Sequence, residues 1–409
     1  MQAANGPLRV LIAGGGIAGL EALLALADLA GDRVDVTLVA PEPEFTYKPM
    51  IVDEPFSFNP AERRELAPIC QQFGATFVQQ PIVALHPSEH RAELGDGSSL
   101  GYDVAIVCVG APPRPAFESA TTLRAGGPEL DIKELLSAAA ADESRRLALV
   151  VPPGVAWPLP IYEVALMAES RARELHLDLG IEVITPEEAP LIAFGRTASE
   201  AVSALLSVRG IAVRSGTHAV EADGQISLSP GDETLEAGAV IALPVLHGPA
   251  VEGLPSDERG FIPIDQHARV TGADDVYAAG DGTNFPIKQG GIGTQEADAA
   301  AEHVAARAGV EIEPAPFHPI LRGKLLAGEE TLSMKADPTG GTGEGEASLD
   351  YLWWPPHKVA GRYLAAFLAG DEPHDPEPPS HGMDVELELP HEWHREPMAL
   401  DPYGPIDAD

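Results

Sequence analysis

Four groups of residues in this 409-residue chain have types and spacings that could do chemistry. The first is Gly14-Gly15-Gly16-Ile17-Ala18-Gly19, which follows an apolar run at 8–13 and precedes an Ala/Leu-rich stretch with helical spacing up to Ala30. A second apolar run at 34–39 completes strand, glycine loop, helix and strand. In that setting the spacing is a dinucleotide fingerprint: Gly14 permits the tight turn, Gly16 lets the backbone approach a pyrophosphate, and Gly19 lets helix and sheet close up. The second group is Gly280-Asp281, closing the strand-like run 274–281. Third come the cations Lys48, in Lys48-Pro49, and Lys288, just before a long helix. Fourth is Glu163, at the start of another helix, where it reads equally as a proton carrier or as a plain first-turn acid favoured by the helix dipole. Cys70 and Cys108 lie far apart with no Cys or His at ligand spacing, which argues against a disulfide framework or a zinc site. His374, His381, His391 and His394 fit no ligand pattern either, so no metal is expected.

The elements that must position these groups read as two copies of one unit. After the first strand, helix and strand come residues 75–80, a hairpin through 82–94 that turns at Gly95-Asp96-Gly97, and the run 102–110. A similar order recurs at 212–214, 218–221, 226–228, a Pro230-Gly231-Asp232 turn and 239–244. The second copy opens at 146–151, but its glycine turn is replaced by Pro152-Pro153-Gly154-Val155-Ala156-Trp157-Pro158-Leu159-Pro160. Four prolines in these nine residues remove amide donors that a pyrophosphate needs, so this half is expected not to seat a nicotinamide cofactor. Further helices are expected over 294–308 and 358–368.

The predicted fold class is therefore α/β, with two Rossmann-like dinucleotide-binding domains and a C-terminal region. Residues 1–115 and 246–312 form the first domain in two parts and 116–245 the second. Residues 313–370 form a cover carrying the aromatic cluster Trp353-Trp354-Pro355-Pro356-His357-Lys358. The tail 371–409 holds twelve acids, one arginine and eight prolines and reads as extended and solvated.

Three separated signatures, residues 14–19, Val107-Cys108-Val109-Gly110 and Val276-Tyr277-Ala278-Ala279-Gly280-Asp281, together resemble the pyridine nucleotide–disulfide reductase superfamily. Within it the likeness is to the branch of sulfide:quinone oxidoreductases, flavocytochrome c sulfide dehydrogenases and type II NADH dehydrogenases. The resemblance implies noncovalent FAD, its pyrophosphate on Gly14, Gly15, Gly16, Ile17, Ala18 and Gly19 and its ribityl–pyrophosphate linkage held at Gly280-Asp281. It also implies cofactor contacts from Glu42, Lys48, Pro49, Ile82, Gly110 and Lys288. Ala40 stands where many relatives carry the ribose-binding acid, and Glu42, two residues on, is the substitute; a solvated surface acid is the other reading. Lys288 would favour negative charge on a reduced flavin.

In sulfide-oxidising relatives a redox cysteine precedes the Tyr-Glu that is Tyr162-Glu163 here. Trp157 stands near that place, and the second cysteine, due around 330–340, is missing. Without a thiolate pair there is no persulfide relay. Cys108 and Cys70 read as packing residues.

Composition bounds the partners. The 63 Asp and Glu against 26 Lys and Arg leave a net charge of −37, which repels phosphate backbones and anionic lipid, so nucleic acid is excluded. With 44% apolar residues the chain is expected to fold into a sizeable core. No basic leader feeds an apolar segment and no apolar window reaches the roughly 18 residues of a spanning helix. A cytoplasmic protein is expected, at most peripheral to a membrane, with a homodimer admissible. The leading functional reading is an FAD-dependent oxidoreductase passing electrons from a small reductant to a quinone-like or protein acceptor, with Glu163 and Lys288 as catalytic residues. The alternatives are NAD(P)H oxidation of the type II dehydrogenase kind and a non-catalytic FAD-binding scaffold.

Overall fold

The computed structural model describes residues 6–56, 61–123, 131–155, 157–231, 233–328, 330–338 and 343–376. The Leu8–Ala13 strand is the centre of a five-stranded sheet, and Val10 to Ala13 are buried on both faces, as a strand sandwiched between helices must be. All neighbours are parallel, in the order Val276–Ala278, Val104–Val107, Leu8–Ala13, Val34–Ala40, Thr76–Gln79. The late strand Val276–Ala278 thus joins a sheet begun at Leu8–Ala13, and brings Gly280 beside the opening glycine loop.

The helix Ile17–Leu29 is apolar nearly all round because it lies between that sheet and the helix Gly290–Arg307. Ala297, Ala300 and Ala301 give the second helix a small-residue face that lets the two approach closely. This helix starts at Gly290, four residues before the sequence suggests. Gln289 caps it, accepting from Ile292 N at 3.0 Å and donating to Arg322 O at 2.8 Å. Its early glycines are there for space: a Cβ on Gly293 would sit 2.9 Å from Gly280 Cα.

The second five-stranded sheet is also parallel, ordered Thr121–Thr122, Ala239–Ala242, Arg146–Val150, Gly180–Ile184, Ala212–Arg214. Each sheet is accompanied by a three-stranded antiparallel one, at 82–101 and 218–234, so the repeated unit read from the sequence is present. The two halves are linked by a short antiparallel pair, Pro113–Arg114 with Val245–Leu246.

A third antiparallel sheet, Leu321–Leu326, Thr331–Ala336 and Glu346–Ser348, packs Leu321, Leu325 and Met334 into the core built around the helix Leu159–Glu174. Residues 351–376 then return to the first half. Only Leu364–Ala369 of this return is helical, shorter than the 358–368 expected. The reason is a tertiary contact. A Cβ on Gly361 would lie 2.5 Å from Glu21 Oε2, and Glu21 instead takes the Tyr363 and Leu364 amides at 2.9 and 2.7 Å, capping the short helix from a distant element. Among the described residues no helix is long and apolar enough to cross a membrane. The tail beyond residue 376, with His381, His391 and His394, lies outside the described residues.

Candidate active site

The glycine loop shows a division of labour. Gly14 has φ +114°, and a Cβ there would be 2.2 Å from Cys108 O; one on Gly19 would be 1.9 Å from Gly14 O. Those two glycines therefore serve the closure of strand, loop and helix. Gly16 differs: nothing lies within 4 Å of its virtual Cβ, so it faces open space at the N-terminus of the Ile17–Leu29 helix. That open cradle, with helix amides and dipole behind it, fits a pyrophosphate.

The other two signatures meet the loop at the carboxyl ends of the central strands, where a doubly wound sheet binds its ligand. Gly280, at φ +88°, has its virtual Cβ 3.2 Å from Ala18 Cβ, and that of Gly282 is 2.9 Å from Gly110 O. Gly280 N donates to Glu296 Oε2 at 2.6 Å, and Thr283 Oγ1 donates to Glu296 Oε1 at 3.1 Å. Glu296 is thus the buried post on which the Gly-Asp turn is tied. Sequence reasoning passed it over, although Glu296, Ala300 and Val304 share one buried helix face.

Around that turn sits a charge cluster. Burial raises the Asp281 carboxyl, opposed by Lys288 and Lys48. Lys288 Nζ donates to Thr283 O and stands 4.1 Å from the centre of the Phe261 ring. Burial lowers its ammonium and raises Glu296; each opposes the shift of the other. Lys48 itself is exposed.

The second chemical centre is Glu163. It is fully buried; Oε1 accepts from Leu326 N at 3.0 Å and Oε2 from Lys358 Nζ at 2.6 Å. The Lys358 ammonium also donates to Pro49 O at 2.9 Å. One ion pair therefore joins the helix of the second half, the C-terminal sheet, the return segment and the Lys48-Pro49 stretch. Burial raises the Glu163 carboxyl to about 7, against the pull of Lys358, and Asp53 adds to the rise. Lys358 was hidden in the sequence within an aromatic cover segment; only the fold brings it 195 residues back to Glu163.

The remaining candidates sit further out. Glu42 is exposed in the turn after Val34–Ala40. Ile82 is half-buried and packs on the cluster that includes Val39. Cys108 and Cys70 are buried, and burial raises both thiols, that of Cys70 to about 11, so neither supplies a thiolate near neutral pH. Trp157 stacks edge-on against Phe194 at 5.5 Å. Trp353 is buried as a cover residue, its indole donating to His357 O at 2.9 Å. No cluster of metal-ligating side chains occurs among the described residues.

Comparison with known proteins agrees with this geometry. The family model described as pyridine nucleotide-disulphide oxidoreductase matches residues 8–303. The sulfide:quinone oxidoreductase from the hyperthermophilic bacterium Aquifex aeolicus is similar in structure, with a TM-score of 0.74 at 17% identity, over 83% of this chain and 86% of that one. The ferredoxin reductase for the CYP199A2 system from Rhodopseudomonas palustris gives 0.61 at 19% identity, over 81% and 83%. NDH2 from Plasmodium falciparum in complex with NADH gives 0.55 at 17%, over 68% and 64%. At such identities the likeness is one of fold. A search of curated proteins found no match.

Proposed function

The chain belongs to the pyridine nucleotide-disulphide oxidoreductase family and is an FAD-dependent oxidoreductase, and from that premise we propose that it carries electrons from a small reductant to a quinone-like or protein acceptor without a cysteine relay. FAD, when bound, supplies the two-electron chemistry. The residues of the chain do the rest. The open cradle at Gly16, backed by the amides that begin the Ile17–Leu29 helix, would take the pyrophosphate, and Gly280-Asp281, tied by Glu296, would hold the ribityl linkage. Lys288 and Lys48 place positive charge at the same end of the crevice, favouring an electron-rich cofactor. Glu163, titrating near neutrality, holds or releases a proton, and Lys358 sets how readily it does so.

The observation that carries the reading is the convergence of the three glycine signatures at the carboxyl ends of one parallel sheet, with the buried Glu163 tied through Lys358 to Pro49 O, next to Lys48. The absence of a relay rests on the two cysteines, both buried with raised thiols. Steady-state turnover with a panel of small donors and quinones tests it. Turnover by the native chain that drops on Glu163→Gln and on Lys288→Ala supports the proposal. Equal, negligible rates in all three proteins would instead leave an FAD-binding scaffold.

A further inference from the structure

Between the proline-rich loop of the second half and the 257–288 region of the first lies a cavity of about 200 Å³. Resting on the reading that a small donor serves the flavin, we propose that this cavity is the seat of a single-ring aromatic carboxylate and not of a dinucleotide.

The walls carry the argument. Trp157, Phe261 and Phe285 line the cavity with aromatic surface, the kind of wall on which a flat ring stacks. Arg259 and Lys288 both line it, and both cations lie over the Phe261 ring, at 5.2 and 4.1 Å. The single lining acid is Asp257, whose Oδ1 is engaged by its own loop, accepting from Arg259 N at 2.8 Å and Phe261 N at 2.9 Å. Asp281 and Glu296 stand close enough to Lys288 to offset its charge. Arg259 has no such offset: among the described residues no carboxylate lies within ion-pair distance of its guanidinium. In a chain with 63 acids for 26 bases, an exposed arginine left without a carboxylate at the edge of an aromatic cavity is available to an anion from outside. The planar guanidinium fork suits a carboxylate held through two hydrogen bonds.

The cavity has room for one ring and its carboxylate, and the backbone disfavours the larger alternative. Pro152, Pro153, Pro158 and Pro160 leave the loop short of the amides a pyrophosphate would use.

Calorimetric titration of the purified, FAD-loaded chain with 4-hydroxybenzoate, with the flavin spectrum recorded in parallel, is the test. The expected result is one site, a perturbed flavin spectrum, and affinity about tenfold or more weaker in Arg259→Ala and in Trp157→Leu. Cyclohexanecarboxylate, charged but not flat, and benzyl alcohol, flat but uncharged, should each bind about tenfold more weakly than the probe. Arg259 is exposed, so its variant keeps the fold even if loss of Trp157 does not. No binding heat, affinity unchanged in Arg259→Ala, or displacement of the probe by equimolar NADH overturns the assignment. The two readings fail separately. Donor turnover with no 4-hydroxybenzoate site defeats this inference alone, and a site that obeys the variants in a chain without turnover defeats the proposed electron transfer alone.

Discussion

Glu163 is fully buried, and the cation paired with it, Lys358, is also shared with Pro49 O. If the carboxyl moves a proton during turnover, the pH profile of kcat/KM has a limb near pH 7. Glu163→Gln then removes that limb and lowers the rate by roughly 10²- to 10⁴-fold. A carboxyl that only supports structure would leave the profile's shape unchanged. Lys358→Met strands the buried carboxylate and should cost about 3–5 kcal/mol in denaturant unfolding, while adding Glu163→Gln should recover part of the loss. Glu163 was legible because it follows a proline turn at a helix start. Lys358 was not, since no local pattern tells a lysine in a loop that its partner lies 195 residues away.

The glycine loop separates two roles that the sequence motif merges. Gly19→Ala drives a methyl into Gly14 O and should lower thermal stability whether or not FAD is present. Gly16→Ala meets open space, so the fold should keep its melting temperature while FAD affinity, measured by flavin fluorescence on release, falls by about tenfold or more. Equal effects of the two changes would contradict this division. The first βαβ element was readable because its signals are local: an apolar strand, glycine spacing, a helical period. Helix ends that depend on remote groups were not. Gln289 starts one helix by bonding to Arg322 O, and Glu21 fixes the start of the last by accepting the Tyr363 and Leu364 amides.

For the whole molecule, the same burial that tunes the site makes stability depend on pH. Glu21 and Glu163 are raised from ordinary carboxyl values to about 7 in the folded chain, so between about pH 4.5 and 7 the folded state holds protons the unfolded state has lost. Stability from these groups is present at the acid end and is lost as pH rises through 7; the net charge of −37 adds self-repulsion in the same direction. The melting temperature should therefore fall from pH 5 to pH 8 and rise again with added salt at pH 8; a flat response to both would refute it. Anaerobic rapid mixing of the FAD-loaded chain with small donors and, separately, with NADH and NADPH is the sharpest test of the proposed electron transfer. The flavin band should bleach with a small donor at turnover rates, and far more slowly with either pyridine nucleotide. Bleaching by NADH or NADPH at turnover rates would contradict it.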